Sequence, residues 1–374
     1  MEKKKNDFIA QGSILAIASI LVRVMGMIYR IPMTAIIGDK GNGFYSYAYS
    51  VYTILLLLSS YSLPLAVSKM VSAKAQLGQW RNVKRVFICA IAFAIGIGTT
   101  FGLIVLIGAQ FFTRVFFHSE LAAIALRFMA PTILIMALLG VFRGFFQGLQ
   151  NTLPTAVSQI VEGLINAIMS VVFAYFLFDF GHGMDVVSGT TDLGYAWGAA
   201  GGAIGTGAGA LAGLIFCFIL FVAYRKILAV NISRDKTGTQ QEYGDIFRLM
   251  LSIALPVILS TALYNLIELV DGSLFNNIMA SKGMEDVKDS MWGAYNAKAL
   301  LLVHIPVSIS SAMAVSLVPT LTAAYALGDE QTAKSKVHAI LRFISILAFP
   351  SAVGLLVLAN PIIKTLFSGD TSAA

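Results

Sequence analysis

The chain has 374 residues, of which 57% are hydrophobic and only 12% charged, whereas a soluble domain carries about twice that charge. A mean hydropathy of +0.81 excludes an ordinary globular protein and describes one that crosses a membrane many times. The 26 Lys and Arg against 19 Asp and Glu are spread over short segments between apolar runs, so the basic excess is a topology signal and not a nucleic-acid surface.

Lys3, Lys4 and Lys5 at the amino terminus resemble the basic start of a secretion signal. The apolar run behind them is too long and lacks a small-residue cleavage site, so it is expected to stay as the first transmembrane helix. Segments of about 20 residues or more, enough to span, fall near 11–37, 44–66, 84–112, 121–146, 154–178, 193–224, 246–275, 291–318 and 337–359, nine in all. With the amino terminus inside, the cytoplasmic segments hold seventeen Lys and Arg, Arg143 among them, and the outer ones six, a positive-inside bias. Arg23, Arg30 and Lys298 remain within spans.

Between these spans, Asp39 to Gly43 is expected as a tight outer turn, Asp179 to Asp192 as an acidic outer loop, and 232–245 as a polar cytoplasmic linker. In the sixth span Gly198, Gly202, Gly205, Gly209 and Gly213 recur every three or four residues, which lets a neighbouring helix approach closely. Cys89 and Cys217 sit inside apolar runs and read as packing residues.

A shift of 250 positions lays Leu77, Gly78, Lys84, Ala109 and Phe117 on Leu327, Gly328, Lys334, Ala359 and Phe367. The third span is thereby equivalent to the ninth. Six spans separate them, an even number, so the halves have one orientation and a pseudo-twofold axis along the membrane normal. The expected fold is all-α and polytopic, a two-lobe helical bundle. Residues 1–231 would form an amino-terminal lobe of six helices, 232–245 a linker, and 246–374 half of a second lobe, which reads as a fragment of a longer chain.

Enzyme signatures are missing from the sequence: His118, His182, His304 and His338 have no metal-ligand spacing, and no nucleophile elbow or phosphate-binding loop occurs. Ionisable residues inside spans mark substrate or ion pathways. In the first span Gln11, Ser19, Arg23, Gly26 and Arg30 share one helical stripe. Gln159, Glu162 and Asn166 share a face of the fifth, and Asn265, Glu268 and Asp271 one of the seventh. Counted from the outer ends of their spans, Arg30, Glu268 and Lys298 are each seven residues deep, about 10 Å. Glu268 is thus expected to pair with Lys298 or Arg30 when the outside is closed, and Arg23 and Lys298 to face a common cavity.

Three runs then carry a resemblance: RVMGMIYRIPMTAIIGDKGNGFYSYAYSVYTILL at 23–56, LPLAVSKMVS at 63–72 and FRGFFQGLQNTLPTAVSQIVE at 142–162. They resemble the MurJ-type lipid II flippases, and among these the stage V sporulation protein B branch of Gram-positive bacteria. That group belongs to the MOP superfamily with the MATE exporters and the polysaccharide flippases. The resemblance implies two lobes of about fourteen helices and places Arg23 on the family's first-helix arginine and Lys298 on a basic position of its YADR motif. The family's second first-helix arginine falls at Tyr29, one position before Arg30.

The expected function is flipping of an undecaprenyl-diphosphate-linked cell-wall precursor by alternating access, in the bacterial cytoplasmic membrane, with the amino terminus inside. Arg23, Arg30 and Lys298 would bind the diphosphate, while Glu268, Asp271, Glu162 and Asn265 are candidates for coupling or gating. No cofactor or metal is expected, with a coupling ion or the membrane potential left open as the energy source. The expected partners are the lipid-linked glycan, membrane lipids and cell-wall synthesis proteins. A cation-coupled multidrug exporter of MATE type and a non-transporting scaffold are the alternatives.

Overall fold

The structure, a computed structural model, describes residues 2–310 and 329–367, with side chains from residue 18 onward apart from positions 61 and 264. Every extended element among the described residues is a helix. The first, α1 (Glu2–Leu56), is two helical arms meeting at Gly38, whose backbone has φ 61° and ψ −175°. Only a residue without Cβ adopts that conformation at no steric cost. Asn42 Nδ2 donates to the Gly38 carbonyl at 2.8 Å, which satisfies an acceptor that the corner leaves over. Residues 39–43, expected as a turn, are therefore helical, and the corner needs no loop.

The second arm passes through a π turn (Leu57–Tyr61) into α2 (Leu63–Gln76). Then follow α3 (Trp80–Phe117), α4 (Ala122–Gly148), α5 (Leu153–Ser188), α6 (Leu193–Ser233) and α7 (Tyr243–Ser281). The next helix, α8 (Glu285–Ala294), continues through a second π turn (Tyr295–Ala299) to residue 310, and α9 covers Glu330–Leu366. Among the described residues 7 stretches are long and apolar enough to cross a membrane. The first, Ala18–Gln76, is folded at Gly38 and holds two of the nine expected crossings, while the expected eighth, 291–318, runs beyond the described residues. The bounds of α9 lie 250 residues after those of α3 to within one position, as the internal repeat requires.

Helix ends are where the sequence misleads. The expected acidic loop 179–192 contracts to four residues because α5 runs on to Ser188. Asp185 is buried and accepts from the N–H groups of Leu193 and Gly194 at 3.0 and 2.8 Å, so it caps the start of α6. The linker contracts to 234–242 and is clasped to α3. The Arg81 N–H donates to Asp235 at 2.9 Å, and the Asn82 amide bonds both Thr239 and Gln241. Arg85 donates to the Gln241 carbonyl and lies over the Tyr243 ring. The backbone donor of Arg81, with the N–H and hydroxyl of Thr237, holds the Asp235 carboxyl down at about 2.

Two large apolar cores, and a smaller cluster of Leu301, Leu302, Ile363 and Phe367, lie among the described residues. Near Gly38, Tyr47, Phe117 and Trp292 stack with α1, α3, α4 and α6 side chains. At the linker end, Phe87, Phe142, Phe145 and Phe221 pack with Ile246 and Met250 of α7. A Cβ added at Gly201 or Gly205 of α6 would overlap the α5 backbone at Phe173 or Ser170, so these glycines bring the two helices into backbone contact.

Candidate functional site

Beside the core near Gly38, with Met33 and Tyr45 in its wall, lies a cavity of about 530 Å³, within the size range of small-molecule sites. The first arm of α1 presents Arg23, Gly26, Tyr29, Arg30 and Met33 to it. One helical stripe supplies all the positions at 23, 26, 30 and 33. The second arm adds Asn42, Tyr45, Ser46 and Tyr49, α5 adds Gly163 and Asn166, and α7 adds Glu268. The remaining wall is the helix after α8, with Asn296, Leu300, His304 and Ser308, a spacing of four that again defines one face.

Charge is distributed unevenly over these walls. Arg23 is exposed to the cavity and has no ion pair with another described residue. Arg30 is partly buried, with the phenols of Tyr29, Tyr45 and Tyr49 as its electrostatic neighbours. The rings of Tyr45 and Tyr49 stack at 5.8 Å, and the Tyr45 hydroxyl meets that of Thr206 at 3.3 Å. Tyr29 and Arg30 both reach the cavity, so the one-position offset from the family's second arginine leaves Arg30 in the site.

Lys298 does not line the cavity with them. Its side chain is 2% exposed, and its ammonium lies 2.7 Å from both carboxylate oxygens of Asp39. Of the two expected partners of Glu268, Lys298 is instead held by Asp39, while Arg30 lines the same cavity as Glu268. Two local facts explain this. Lys298 lies within the π turn Tyr295–Ala299 and, two residues after Asn296 and six before His304, falls on a different face of the helix from both. In addition, α8 begins at Glu285 and α7 runs on to Ser281, so depths counted from Met291 and Phe275 start from the wrong ends.

The Asp39–Lys298 pair belongs to a seal over the Gly38 end of the cavity. A Cβ at Gly43 would overlap the Asp289 backbone, and one at Gly293 that of Asp39, so α1 and α8 touch backbone to backbone. Lys288 Nζ donates to the carbonyls of Phe117 and His118 at 3.0 and 2.7 Å, satisfying the end of α3. The Tyr47 hydroxyl donates to Asn276 of α7 at 3.0 Å, and Lys40 pairs with Asp192 at 2.7 Å.

The remaining candidates lie elsewhere. Glu162 of α5 faces α4, where its carboxylate takes Arg143 Nη2 at 2.7 Å while Arg143 Nε donates to Ser158 at 2.8 Å. Arg143, counted above with the cytoplasmic segments, is therefore a fourth cation inside the helical bundle; α4 runs to Gly148, and Arg143 sits more than a turn inside its end. Asn265 donates to its own helix at Thr261, 2.8 Å away. Asp271 is exposed and does not line the cavity. Sequence reasoning missed Asp39, read as a turn residue, and His304. Among the described residues no three His, Cys, Asp or Glu side chains converge where a metal ion could be held.

Comparison with known proteins follows the same lines. The lipid II flippase MurJ of Bacillus subtilis (strain 168) is 26% identical over 370 residues, 96% of this chain and 65% of that protein. Stage V sporulation protein B of the same organism is 24% identical over 375 residues, 99% of this chain and 68% of that protein. The chain thus spans about two thirds of the length of these relatives. Among solved structures, an inward-facing multidrug resistance MATE family transporter of the MOP superfamily superposes with a TM-score of 0.67 at 13% identity, over 95% of this chain and 76% of that one. A MOP superfamily transporter from Pyrococcus furiosus gives 0.60 at 16%, over 98% and 75%. At these identities the likeness defines the fold, a MOP-type multi-pass helical bundle. Residues 8–324 match the polysaccharide biosynthesis protein family, and 285–371 a second profile of the same description, so the chain belongs to that family.

Proposed function

We propose that this protein carries a lipid-linked glycan diphosphate, of the lipid II class, across the bacterial cytoplasmic membrane by alternating access, with its amino terminus and its 234–242 linker on the cytoplasmic side. The observation that carries the reading is the pair Arg23 and Arg30 on one wall of a cavity that is sealed at the Gly38 end. A diphosphate leaving water needs its hydration replaced, and a guanidinium fork meets two phosphate oxygens at once. An unpaired arginine within a membrane helix is otherwise unfavourable by roughly 2.5 to 3.5 kcal/mol. The polyprenyl tail stays in lipid, so the cavity needs to hold only the polar head. No bond is made or broken, and no residue is assigned a catalytic role.

The exporter alternative relies on an intramembrane carboxylate that binds a coupling cation. Glu162 is occupied by Arg143, and Glu268 shares a wall system with two arginines, which disfavours a cationic cargo. Complementation tests the proposal. A bacterium depleted of its own lipid II flippase should grow when supplied with this protein and fail with the Arg23→Ala variant at equal membrane levels. Growth with Arg23→Ala equal to wild type would remove the basis of the reading.

A further inference from the structure

We propose that Asp289 is a proton-binding group in the seal, neutral while the Gly38 end of the cavity is closed and ionised when that end opens, so that acidity on that side holds the cavity shut. The inference concerns gating and holds whatever the cargo. Asp289 lies where α8 touches α1, and a Cβ on Gly43 would overlap its carbonyl oxygen. The residue is 8% exposed, and its Oδ1 is buried with no hydrogen-bond partner among the described residues. A negative charge shared with that oxygen would have no donor to replace its water.

The groups around it are committed elsewhere. Lys288 precedes it on α8 but gives its ammonium to the carbonyls of Phe117 and His118 at the end of α3. Lys40 of α1 pairs with Asp192 before α6, and Asp39 of α1 with Lys298. Asp192, and Glu285 one turn earlier on α8, add like charge. The Tyr47 hydroxyl of α1, which interacts with the Asp289 carboxyl, donates to Asn276 Oδ1 of α7, and Asn276 Nδ2 donates to the Gly272 carbonyl at 2.8 Å. That chain fixes the amide and spends the phenol proton, so Tyr47 has lone pairs to offer. A carboxylate meets them unfavourably, whereas a neutral carboxyl can donate to them. Burial accordingly raises the Asp289 carboxyl above its ordinary 3.8, against the pull of Lys288 and Lys40. Once open and hydrated, the carboxyl returns to the ordinary value. Closing therefore takes a proton from the medium and opening returns it, so the closed state is favoured in acid and loses ground as the pH climbs from 3.8 to the raised value.

The experiment is labelling of a cysteine at Ser46, in the cavity wall beneath the seal, by an impermeant maleimide added from that side to proteoliposomes of the full chain. Rates are taken from about pH 4.5 to about pH 8, with Asp289 intact and with Asp289→Asn in the same cysteine background. The ratio of the two rates cancels the pH dependence of the reagent and of every other group in the seal. Asp289→Asn, which carries no charge, should stay closed and label more slowly than the intact residue at the alkaline end. The ratio of intact to variant rate should rise several-fold across the range, by at most about tenfold per pH unit. Should Asp289→Asn fold poorly, Asp289→Ser is the uncharged comparator. A flat ratio would overturn the assignment and leave any pH response of the seal to its other groups, the Asp39 and Lys298 pair among them. A ratio that falls with rising pH, or an uncharged variant that labels faster than the intact residue at the alkaline end, would overturn it as well.

Discussion

The ammonium of Lys298 sits 2.7 Å from the carboxylate of Asp39, across the corner at which α1 turns. The lysine side chain is 2% exposed and the aspartate 16%, so the pair is largely shielded from water. Breaking one side of such a pair destabilises by about 3 to 5 kcal/mol. Asp39→Asn should therefore favour opening of the Gly38 end. A cysteine at Ser46, which lines the cavity beneath the seal, should then react several-fold faster with an impermeant maleimide added from that side. The exchange Asp39→Lys with Lys298→Asp should restore slow labelling.

Arg23 and Glu268 line the same cavity with opposite charges. Arg23→Ala should weaken binding of a polyprenyl diphosphate by about ten- to hundredfold, the range of a hydrogen bond to a charged group, with thermal unfolding nearly unchanged because the side chain fills no packed core. Arg23→Lys should recover part of the loss, since an ammonium lacks the planar fork. Glu268→Gln should act in the opposite direction and tighten binding several-fold by removing a like charge. Calorimetric titration reads all three.

Glu162 and Arg143 form a largely buried pair between α5 and α4. Here the expected effect is on stability. Glu162→Gln should lower the unfolding free energy by about 3 kcal/mol by stranding a charge, measured as a fall in the thermal midpoint, while leaving the Ser46→Cys labelling rate as in wild type. A change in labelling without loss of stability would instead assign Glu162 to the transport cycle.

The clasp on the linker is open to a pH test. Because the folded Asp235 carboxyl is held at about 2 against an ordinary 3.8, its contribution is complete above the ordinary value and is lost as the pH falls through the folded one. Asp235→Asn should mimic the acid state at neutral pH and free the linker. Trypsin cleavage after Arg234 or Lys236 should become faster than in wild type, and Asn82→Ala should add to the effect.

What the sequence made legible follows from what each signal encodes. Hydropathy reports burial in lipid along the chain, so the spans could be read from it, and matching residues 250 positions apart made the α3 and α9 correspondence legible. The stripe of Arg23, Gly26 and Arg30 could be read because a single helix defines it. Lys298 could not, since its partner Asp39 is 259 positions away, at a corner that the sequence reads as a turn. Arg143 was misplaced for a related reason: a helix end judged from hydrophobicity stops where polarity begins, whereas α4 continues until its hydrogen bonds run out.

The contact between α5 and α6 bears on how the chain is built in the cell. The two helices are joined by the short 189–192 connection, capped by Asp185, and meet through glycines that need no side chains from elsewhere. Such a hairpin can close as soon as both segments have left the translocon, before α7 is synthesised. The ribosome then delivers the later helices to a surface already formed. A bulky replacement at Gly201 or Gly205 would therefore act first as a biogenesis defect, seen as degradation of the nascent protein.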